Sequence, residues 1–235
     1  MNRTRIETFD YTWNPFVGCM GPAGDQVRCG FCYAARLARR RMSKCVECNA
    51  FTPHWHLERL AEPAKVRKPS RIFVNSMGDP ADFEQSDVDR LMRSVPPRHR
   101  YYLLTKRPWA ESVRSVAWPP WWCVGVSVGE SELSWERLYH LDRVQGCPSL
   151  FVSVEPLRSE PNLRALGCVR GLSWVIVGEE TGPGFDHNAD DVLRWAVRVR
   201  DLAIAKGVPC YVKRPLRTRP WGWGRDDLQQ YDRQL

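Results

Sequence analysis

Arg71-Ile-Phe-Val-Asn75 decides the fold, because it is the first of six short apolar, β-rich runs that recur along the chain. Each run ends in polar residues and is followed by a more polar or helical stretch. The other five runs are Tyr101-Tyr-Leu-Leu-Thr105, Cys123-Val-Gly-Val-Ser127, Leu150-Phe-Val-Ser-Val-Glu155, Trp174-Val-Ile-Val-Gly178 and Pro209-Cys-Tyr-Val-Lys213. Their spacing is roughly the length of a βα unit, so the sequence predicts an α/β protein.

Helices are predicted between these runs, and a short strand is predicted before them over residues 7–18. The predicted helices cover residues 33–42, about 54–61, 86–93, 109–116, 131–142 and 190–206, the last with a C-cap at Gly207. Buried parallel strands are apolar throughout and need crossover helices. The pattern therefore predicts a parallel (β/α) barrel, complete or partial, as a single domain over residues 1–235. A doubly wound open sheet is the alternative.

Unusual polar residues stand at the carboxyl ends of the predicted strands, where the active sites of (β/α) barrels lie. They are Asn75-Ser-Met-Gly-Asp79, Thr105-Lys-Arg107, Ser127, Ser153 with Glu155, Glu179-Glu180 and Lys213. The carboxylates of Asp79, Glu155 and Glu179 could bind an amine and a ribose, whereas Lys106 could pair with a carboxylate or phosphate. Lys213 could act as an acid, a base or an anion anchor, or it could form a salt bridge with Glu155 or Glu179. Lys213 and Glu179 are the predicted catalytic residues.

The densest reactive chemistry lies in the stretch Cys19-Met-Gly-Pro-Ala-Gly-Asp-Gln-Val-Arg-Cys29-Gly-Phe-Cys32-Tyr33. A loop of this composition, followed by a run with good helix propensity, can close three thiolates around one centre. Three cysteine ligands leave one iron of a [4Fe-4S] cluster without a protein ligand, and a catalytic centre needs such an open position. Residues 19–32 are therefore predicted to form a cluster-binding loop with Cys19, Cys29 and Cys32 as ligands.

A second cysteine pair leaves alternatives open. Cys29-x2-Cys32 is followed after twelve residues by Cys45-x2-Cys48, which is the spacing of a zinc ribbon, with His54 and His56 nearby as spare ligands. Residues 43–56 could instead be a cysteine-containing insertion. In that case Cys45 and Cys48 either hold a separate metal, such as zinc, or form an ordinary surface pair.

Composition and charge indicate the size of the core and the kind of partner to expect. The chain has 235 residues and is 43% apolar, which is enough for a substantial core. Its net charge of +8 favours polyanionic partners such as nucleic acid or nucleotides, although an ordinary basic enzyme surface explains the charge equally well. Residues 214–235 are basic and aromatic and are predicted to form a C-terminal tail.

The location of the protein is predicted from its termini and its cysteines. The N-terminal residues lack the apolar core of a signal peptide, and no apolar run approaches the length of a membrane span, so we expect no membrane association. Nine cysteines without a secretory signal indicate a reducing cytoplasm, which is the host cytoplasm if the protein is encoded by a phage. The scattered cysteines are predicted to be structural thiols: Cys123, Cys147, Cys168 and Cys210.

Seven motifs occur in order between about residues 8 and 215 and together carry a family resemblance. They are Thr12-Trp-Asn-Pro-Phe-Val-Gly-Cys19, Cys29-Gly-Phe-Cys-Tyr-Ala34, Ile72-Phe-Val-Asn-Ser-Met-Gly-Asp79, Leu103-Leu-Thr-Lys-Arg-Pro108, Val124-Gly-Val-Ser127, Phe151-Val-Ser-Val-Glu-Pro-Leu157 and Trp174-Val-Ile-Val-Gly-Glu-Glu-Thr-Gly-Pro-Gly184. This set resembles the phage Gp-thirty-seven/Gp-sixty-eight family, also met as three-Cys-motif proteins of phages and mobile elements.

The resemblance implies a radical-SAM-like barrel with a cluster held by Cys19, Cys29 and Cys32 and with S-adenosylmethionine across the strand ends. By position, the resemblance places Asn75, Ser76 and Asp79 at the methionyl amine. It places Ser127, Ser153 and Glu155 at ribose and carboxylate contacts, and Lys106 is added to the predicted cofactor contacts by its charge. The cofactor would supply the radical chemistry, while the protein orients the substrate and excludes water.

The sequence thus predicts a radical-SAM-like iron–sulfur enzyme of phage or mobile-element type. Its expected substrate is a nucleic acid base or a nucleotide-linked group, and its expected partners are an electron donor and a protein encoded by the same mobile element. One alternative is a zinc-binding, nucleic-acid-interacting module that uses the two Cys-x2-Cys pairs. Another is a non-redox barrel hydrolase that uses Glu155, Glu179 and Lys213.

Overall fold

All six apolar runs form strands, as predicted. The computed structural model describes residues 1–21, 24–25, 29–81, 83–180, 189–214 and 216. The strands are β1 (Asn2–Arg3), β2 (Tyr11–Trp13), β3 (Phe16–Val17), β4 (His54–Trp55), β5 (Arg71–Val74), β6 (Arg100–Thr105), β7 (Trp122–Val128), β8 (Leu150–Val154), β9 (Leu172–Val177) and β10 (Cys210–Val212). The strand predicted over residues 7–18 is shorter than expected and divides into β2 and β3, because Asn14-Pro15 interrupts it.

The helices agree with prediction in the long segments and differ in the short ones. They are α1 (Tyr33–Arg41), α2 (Val46–Ala50), α3 (Gln85–Ser94), α4 (Glu111–Arg114), α5 (Arg137–Leu141), α6 (Leu163–Cys168) and α7 (Ala189–Ala205), with 3₁₀ turns at Leu57–Arg59, Pro63–Lys65 and Glu132–Glu136. Gly207 has a φ of 66° and follows the end of α7, as expected of a C-cap. Helices α2 and α6 were not predicted, α4 is shorter than predicted, and the helix predicted over 131–142 begins as a 3₁₀ turn.

The helix predicted over residues 54–61 is wrong. His54 and Trp55 form β4, which pairs antiparallel with β3, so that Phe16 lies opposite Trp55 and Val17 lies opposite His54. Only the following Leu57–Arg59 segment is helical, as a single 3₁₀ turn. Pairing with a strand distant in sequence has overridden the local preference of this segment.

The chain divides into two compact units. Unit one comprises Met1–Cys123 with Gln145–Cys147, and unit two comprises Val124–Val144 with Pro148–Leu235. The prediction of a single domain stays a prediction. Residues 22–23 and 26–28 of the predicted cluster-binding loop lie outside the described residues, as do 181–188 and all of the predicted tail except Arg214 and Leu216.

In unit one, β2 pairs in parallel with β5, and β5 pairs in parallel with β6. The two-residue strand β1 adds to β2 in the antiparallel direction. The strands bury Trp13, Ile72, Val74, Tyr101 and Leu103 completely. Their carboxyl ends deliver the chain to Asn75 and to Lys106, which are predicted site residues.

In unit two, β7 pairs in parallel with β8, β8 with β9, and β9 with β10. Every residue of β7, β8 and β10 is buried, which explains why these runs are apolar throughout instead of alternating. The predicted fold class, α/β with a mostly parallel sheet, is therefore confirmed. No helix in the described part of the chain is both long and apolar enough to cross a membrane.

Candidate metal and cofactor sites

The three-cysteine loop joins β3 to α1, and its last cysteine caps the start of that helix. Cys32 is the N-cap residue of α1, and its Sγ accepts a hydrogen bond from the Ala35 backbone amide at 3.4 Å. The Cys32 amide donates to the Cys29 carbonyl at 3.0 Å. A tight turn therefore fixes the Cys-x2-Cys pair at the first turn of a helix whose last turn carries three arginines.

The pKa of Cys19 is affected by its burial and by the charge of neighbouring residues, including the other two cysteines. The pKa of the Cys19 thiol is raised to about 12, chiefly by burial and then by the negative charge of Asp79, with smaller contributions from Cys29 and Cys32 and an opposing hydrogen bond from the Gly21 amide. That amide donates to Cys19 Sγ at 3.2 Å. Asp79, Cys29 and Cys32 thus act electrostatically on Cys19, but the three thiols are not among the described side chains whose ligand atoms all lie within 4.8 Å of one another.

The start of the loop is seated on two neighbouring segments of unit one. The Gly18 amide donates to the Met77 carbonyl at 3.0 Å, and the Gly18 carbonyl accepts from the Asp79 amide at 3.1 Å. On the other side, the Cys19 amide donates to the Phe51 carbonyl at 3.4 Å. Gly18 has a φ of 101°, and a Cβ added there would lie 2.3 Å from the Thr52 carbonyl oxygen. Only glycine fits this position without displacing backbone.

The residues after β5 form a turn that is held by Asn14. Ser76 donates from its hydroxyl to Asn14 Oδ1 at 3.1 Å, and the Met77 amide donates to the same oxygen at 2.9 Å. Asn75 is buried in a left-handed conformation with a φ of 59°, and its Oδ1 accepts from the Phe16 amide at 3.3 Å. Among the residues that the structure describes, nothing accepts a hydrogen bond from Asn75 Nδ2.

Asp79 joins the ends of two parallel strands. Its Oδ1 accepts from the Thr105 hydroxyl at 2.5 Å and from the Ala81 amide at 3.0 Å, and its Oδ2 accepts from the Lys106 amide at 3.0 Å. The carboxylate is therefore used mainly to hold the chain that follows β5 and β6. Sequence reasoning identified Asp79 and Thr105 as polar residues at strand ends, but it missed Asn14 and the hydrogen bond between Thr105 and Asp79.

Two cations after β6 lie at the cysteine loop. The Lys106 ammonium lies 5.8 Å from the centre of the Phe31 ring, which stands between Cys29 and Cys32 in sequence. A Cβ added to Gly24 would lie 2.9 Å from Arg107 Nη2. The loop that carries three thiols is thus bordered by positive charge, as an anionic ligand set requires.

Unit two holds the other predicted site residues in a network of their own. Lys213 and Glu155 form an ion pair, so the salt-bridge alternative predicted for this lysine is confirmed. Ser153 Oγ lies 3.5 Å from Glu155 Oε2, and the Ser127 hydroxyl donates to the Glu155 carbonyl at 2.7 Å. Gly178 packs closely against the pair, because a Cβ there would lie 3.1 Å from Glu155 Oε1 and 3.2 Å from Lys213 Cδ.

Glu179 follows this network at the end of β9. Its side chain is buried, unlike most glutamates, and it directly follows Gly178. The next residue, Glu180, forms an ion pair with Arg158 at 3.3 Å. The catalytic roles predicted for Glu179 and Lys213 stay predictions.

A second group of metal-ligating side chains lies in unit one. The ligand atoms of Cys45, Cys48, His54 and His56 all lie within 4.8 Å of one another, so these four residues could bind a metal ion. Cys48 is completely buried, and the other three are half-buried. The surface-pair reading of Cys45 and Cys48 is therefore wrong.

The grouping also corrects the predicted zinc ribbon. Cys45 and Cys48 lie with the two histidines and not in one group with Cys29 and Cys32. In the predicted helix, His54 and His56 would have pointed in nearly opposite directions, whereas in an extended chain residues i and i+2 share a face. The His-x-His alternation was the sequence signal that indicated an extended segment.

The chain is similar to a known protein family in sequence and to a solved structure in fold. The sequence profile of a family described as "Protein of unknown function (DUF5131)" matches residues 3–232. The fold is similar to a solved structure described as "Spore photoproduct lyase complexed with dinucleoside spore photoproduct", with a TM-score of 0.57, 14% sequence identity, and coverage of 90% of this chain and 78% of that chain. No curated protein matches the chain by sequence. At this identity the structural likeness concerns the fold alone.

Proposed function

Because the chain belongs to the DUF5131 family of proteins of unknown function and has the fold of a radical-SAM enzyme, we propose that it is a radical-SAM-like iron–sulfur enzyme. The observation that supports this most strongly is the placement of the cysteines: Cys19 and Cys32 pack against the same apolar cluster, and the Cys32 amide donates to the Cys29 carbonyl at 3.0 Å. We further propose that it acts in the cytoplasm of cells that carry phages or mobile elements, in keeping with its resemblance to the Gp-thirty-seven/Gp-sixty-eight family.

The donor set fits a [4Fe-4S] cluster with one open iron. Thiolates are the usual ligands of such clusters, and three of them leave one iron for a cofactor. Lys106 and Arg107 lie beside Phe31 and Gly24 of the loop, so they would place positive charge near an anionic ligand set. Cys19, Cys29 and Cys32 would hold this cluster, which would supply one-electron reductive chemistry to bound S-adenosylmethionine, with the electron coming from an external donor.

The chain's own residues hold the loop and orient the cofactor. Asp79 fixes the ends of β5 and β6 behind the loop, and the N-cap of α1 fixes Cys32. We assign cofactor contacts in unit one to Asn75, Ser76, Asp79 and Lys106. The buried Nδ2 donor of Asn75, which meets no acceptor among the described residues, favours a polar ligand beside this turn.

In unit two, Ser127, Ser153 and Glu155 remain proposed cofactor contacts, and Lys213 and Glu179 remain proposed proton-transfer residues. The pairing of Lys213 with Glu155 supports a role in positioning, since each side chain fixes the other. The burial of Glu179 after the end of β9 supports its assignment to the proposed site.

The proposed substrate is a nucleic acid base or a nucleotide-linked group. The net charge of +8 favours a polyanion, and the structurally similar lyase is described with a dinucleoside ligand. We also propose a one-electron donor as a partner and a protein encoded by the same mobile element. A separate zinc ion at Cys45 and Cys48 completes the proposed cofactors.

The proposal is tested by anaerobic reconstitution with iron and sulfide, followed by dithionite reduction and an assay for 5′-deoxyadenosine from S-adenosylmethionine. We expect about four irons per chain and cleavage of the cofactor in the wild type. Cys29→Ser should abolish both, whereas Cys168→Ser, which changes an exposed cysteine outside the loop, should preserve both. An activity that survives in air without reductant and without the three cysteines would contradict the proposal and favour a hydrolase.

A further inference from the structure

Cys45 and Cys48 are brought together by one short helix. Cys45 is the N-cap residue of α2, and its Sγ accepts from the Cys48 amide at 3.4 Å. Cys48 stands one turn into the helix, so both sulfur atoms face the same side. Phe51 then ends the helix in a left-handed conformation with a φ of 60°, which turns the chain back toward β4.

His54 and His56 complete the group from the extended segment that follows. Pairing of β4 with β3 keeps this segment extended, so the two imidazoles point to the same face. His54 Nε2 lies 3.5 Å from Cys45 Sγ and 3.4 Å from Cys48 Sγ. His56 Nε2 lies 3.0 Å from Cys48 Sγ and 2.9 Å from His54 Nε2.

The two separations between His54 Nε2 and the sulfur atoms match the edges of a metal-centred tetrahedron, and the two that involve His56 Nε2 are shorter. With zinc–sulfur bonds of about 2.3 Å and zinc–nitrogen bonds of about 2.0 Å, tetrahedral geometry gives ligand separations of roughly 3.3–3.8 Å. The separations of His56 Nε2 from Cys48 Sγ and from His54 Nε2 are shorter than this range. A bound ion therefore requires the His56 imidazole to move slightly outward.

The outer nitrogens of both imidazoles have acceptors as neighbours. His54 Nδ1 lies 2.8 Å from the Thr52 carbonyl, which can only accept a hydrogen bond, so His54 Nδ1 carries the proton. His56 Nδ1 lies 2.9 Å from a carboxylate oxygen of Glu58 and donates in the same way. Both Nε2 atoms then present lone pairs toward each other and toward two sulfur atoms, an arrangement that a cation stabilises.

We propose that Cys45, Cys48, His54 and His56 bind one zinc ion as a closed structural site. Two sulfur and two imidazole ligands at tetrahedral spacing suit zinc, and four protein ligands leave no position open for a substrate. The Thr52 carbonyl and the Glu58 carboxylate orient the imidazoles through their Nδ1 atoms.

The zinc site also braces the three-cysteine loop. The turn between α2 and β4 carries the Phe51 carbonyl, which accepts from the Cys19 amide, and the Thr52 carbonyl, against which Gly18 packs. One apolar cluster joins the two regions. It contains Val17, Ala34, Ala35, Ala38, Cys48, Phe51 and Met77, with Cys19, Cys32, Leu37, Met42 and Cys45 packed against it. Zinc therefore holds the segment on which the loop is seated.

The zinc site is tested by metal analysis of the full chain. We expect about one zinc per chain in the wild type and in the triple variant Cys19→Ser/Cys29→Ser/Cys32→Ser, which lacks the proposed cluster ligands. Cys45→Ser and His56→Asn should lose the zinc, and Cys168→Ser should keep it. Absence of zinc from the wild type, or its loss in the triple variant, would overturn the proposed site whatever the outcome for the cluster.

A second measurement covers the case in which a ligand variant does not fold. Cobalt(II) added to chelator-treated triple variant should give the visible absorption of a tetrahedral site with thiolate charge transfer, and zinc should displace it. Weak absorption of the kind given by octahedral cobalt(II), without thiolate charge transfer, would overturn the assignment of a tetrahedral site. Glu58→Ala keeps all four ligands and should weaken metal affinity by about 10-fold to 100-fold. An unchanged affinity would overturn the proposed orienting role of Glu58.

The bracing role rests on the proposed function and has its own readout. Iron loading during reconstitution should fall in folded Cys45→Ser while the far-ultraviolet circular dichroism stays close to that of the wild type. Unchanged iron loading in zinc-free protein would overturn the bracing role and leave the zinc site itself standing. Failure of the wild type to load iron would instead count against the proposed enzyme.

Discussion

Replacing Gly18 with alanine tests how tightly the three-cysteine loop is seated on its neighbours. The added Cβ would lie 2.3 Å from the Thr52 carbonyl oxygen, 2.4 Å from the Thr52 carbonyl carbon and 2.5 Å from the Pro53 nitrogen. All three are backbone atoms of the turn that leads to His54. They cannot move without shifting that turn, so the substitution forces the loop and the turn apart.

The magnitude follows from three contributions. An L side chain at positive φ is destabilising by about 1–2 kcal/mol. Overpacking against rigid atoms adds about 1–3 kcal/mol. The lower entropy of the unfolded alanine chain offsets about 0.4–1 kcal/mol. The free energy of unfolding should therefore fall by about 3 kcal/mol, within a range of about 1–5 kcal/mol.

Gly24→Ala is the matched control, because Gly24 lies in the same loop and also has a positive φ, of 78°. Its added Cβ would meet only the end of the Arg107 side chain, which can move away. Urea unfolding followed by tryptophan fluorescence should show Gly18→Ala to be less stable than Gly24→Ala by about 1–3 kcal/mol. Equal stability of the two variants would refute the close seating of the loop.

Three further substitutions test individual contacts. Asp79→Asn should lower the free energy of unfolding by about 1.5–3 kcal/mol in urea titrations, because the amide oxygen can still accept from Thr105 and Ala81 but the NH2 group cannot accept from the Lys106 amide; an unchanged value contradicts this. Lys213→Met should destabilise by about 1–3 kcal/mol, with partial recovery when Glu155→Gln is added, because the ion pair is only partly exposed; no recovery would contradict the pairing. Burial lowers the pKa of His99 from its ordinary 6.5, so the unfolded chain binds the proton first as the pH falls. The stability of the wild type should therefore decline relative to His99→Gln below about pH 6.5, and parallel pH profiles would count against the shift.

The strands could be predicted because burial on both faces of a parallel sheet leaves a local signal. Leu150–Val154 is buried at every position, and an apolar run of that length shows this directly in the sequence. The segment at His54 has no such apolar run, and its only local indication of an extended chain is the His-x-His alternation. Its extended conformation depends on pairing with Phe16–Val17, which lies far away in sequence, so a local preference for helix gave the wrong prediction.

For the candidate sites, the sequence predicted which residue types take part but not which residues they contact. Cysteine and carboxylate side chains were identified because few residues carry their chemistry. The partners of these residues were not predictable, because Asn14 reaches Ser76, and Thr105 reaches Asp79, only after parallel strands align. The choice of His54 as a partner for Cys48 likewise depends on a turn and a strand pair that form together.

Electron paramagnetic resonance of the reconstituted, dithionite-reduced protein tests the central claim most directly. The proposed enzyme should give the signal of a reduced [4Fe-4S] cluster that changes when S-adenosylmethionine is added, because the cofactor binds the iron that lacks a protein ligand. The signal should be absent from Cys29→Ser. A signal that S-adenosylmethionine leaves unchanged, or that persists in Cys29→Ser, would contradict the account.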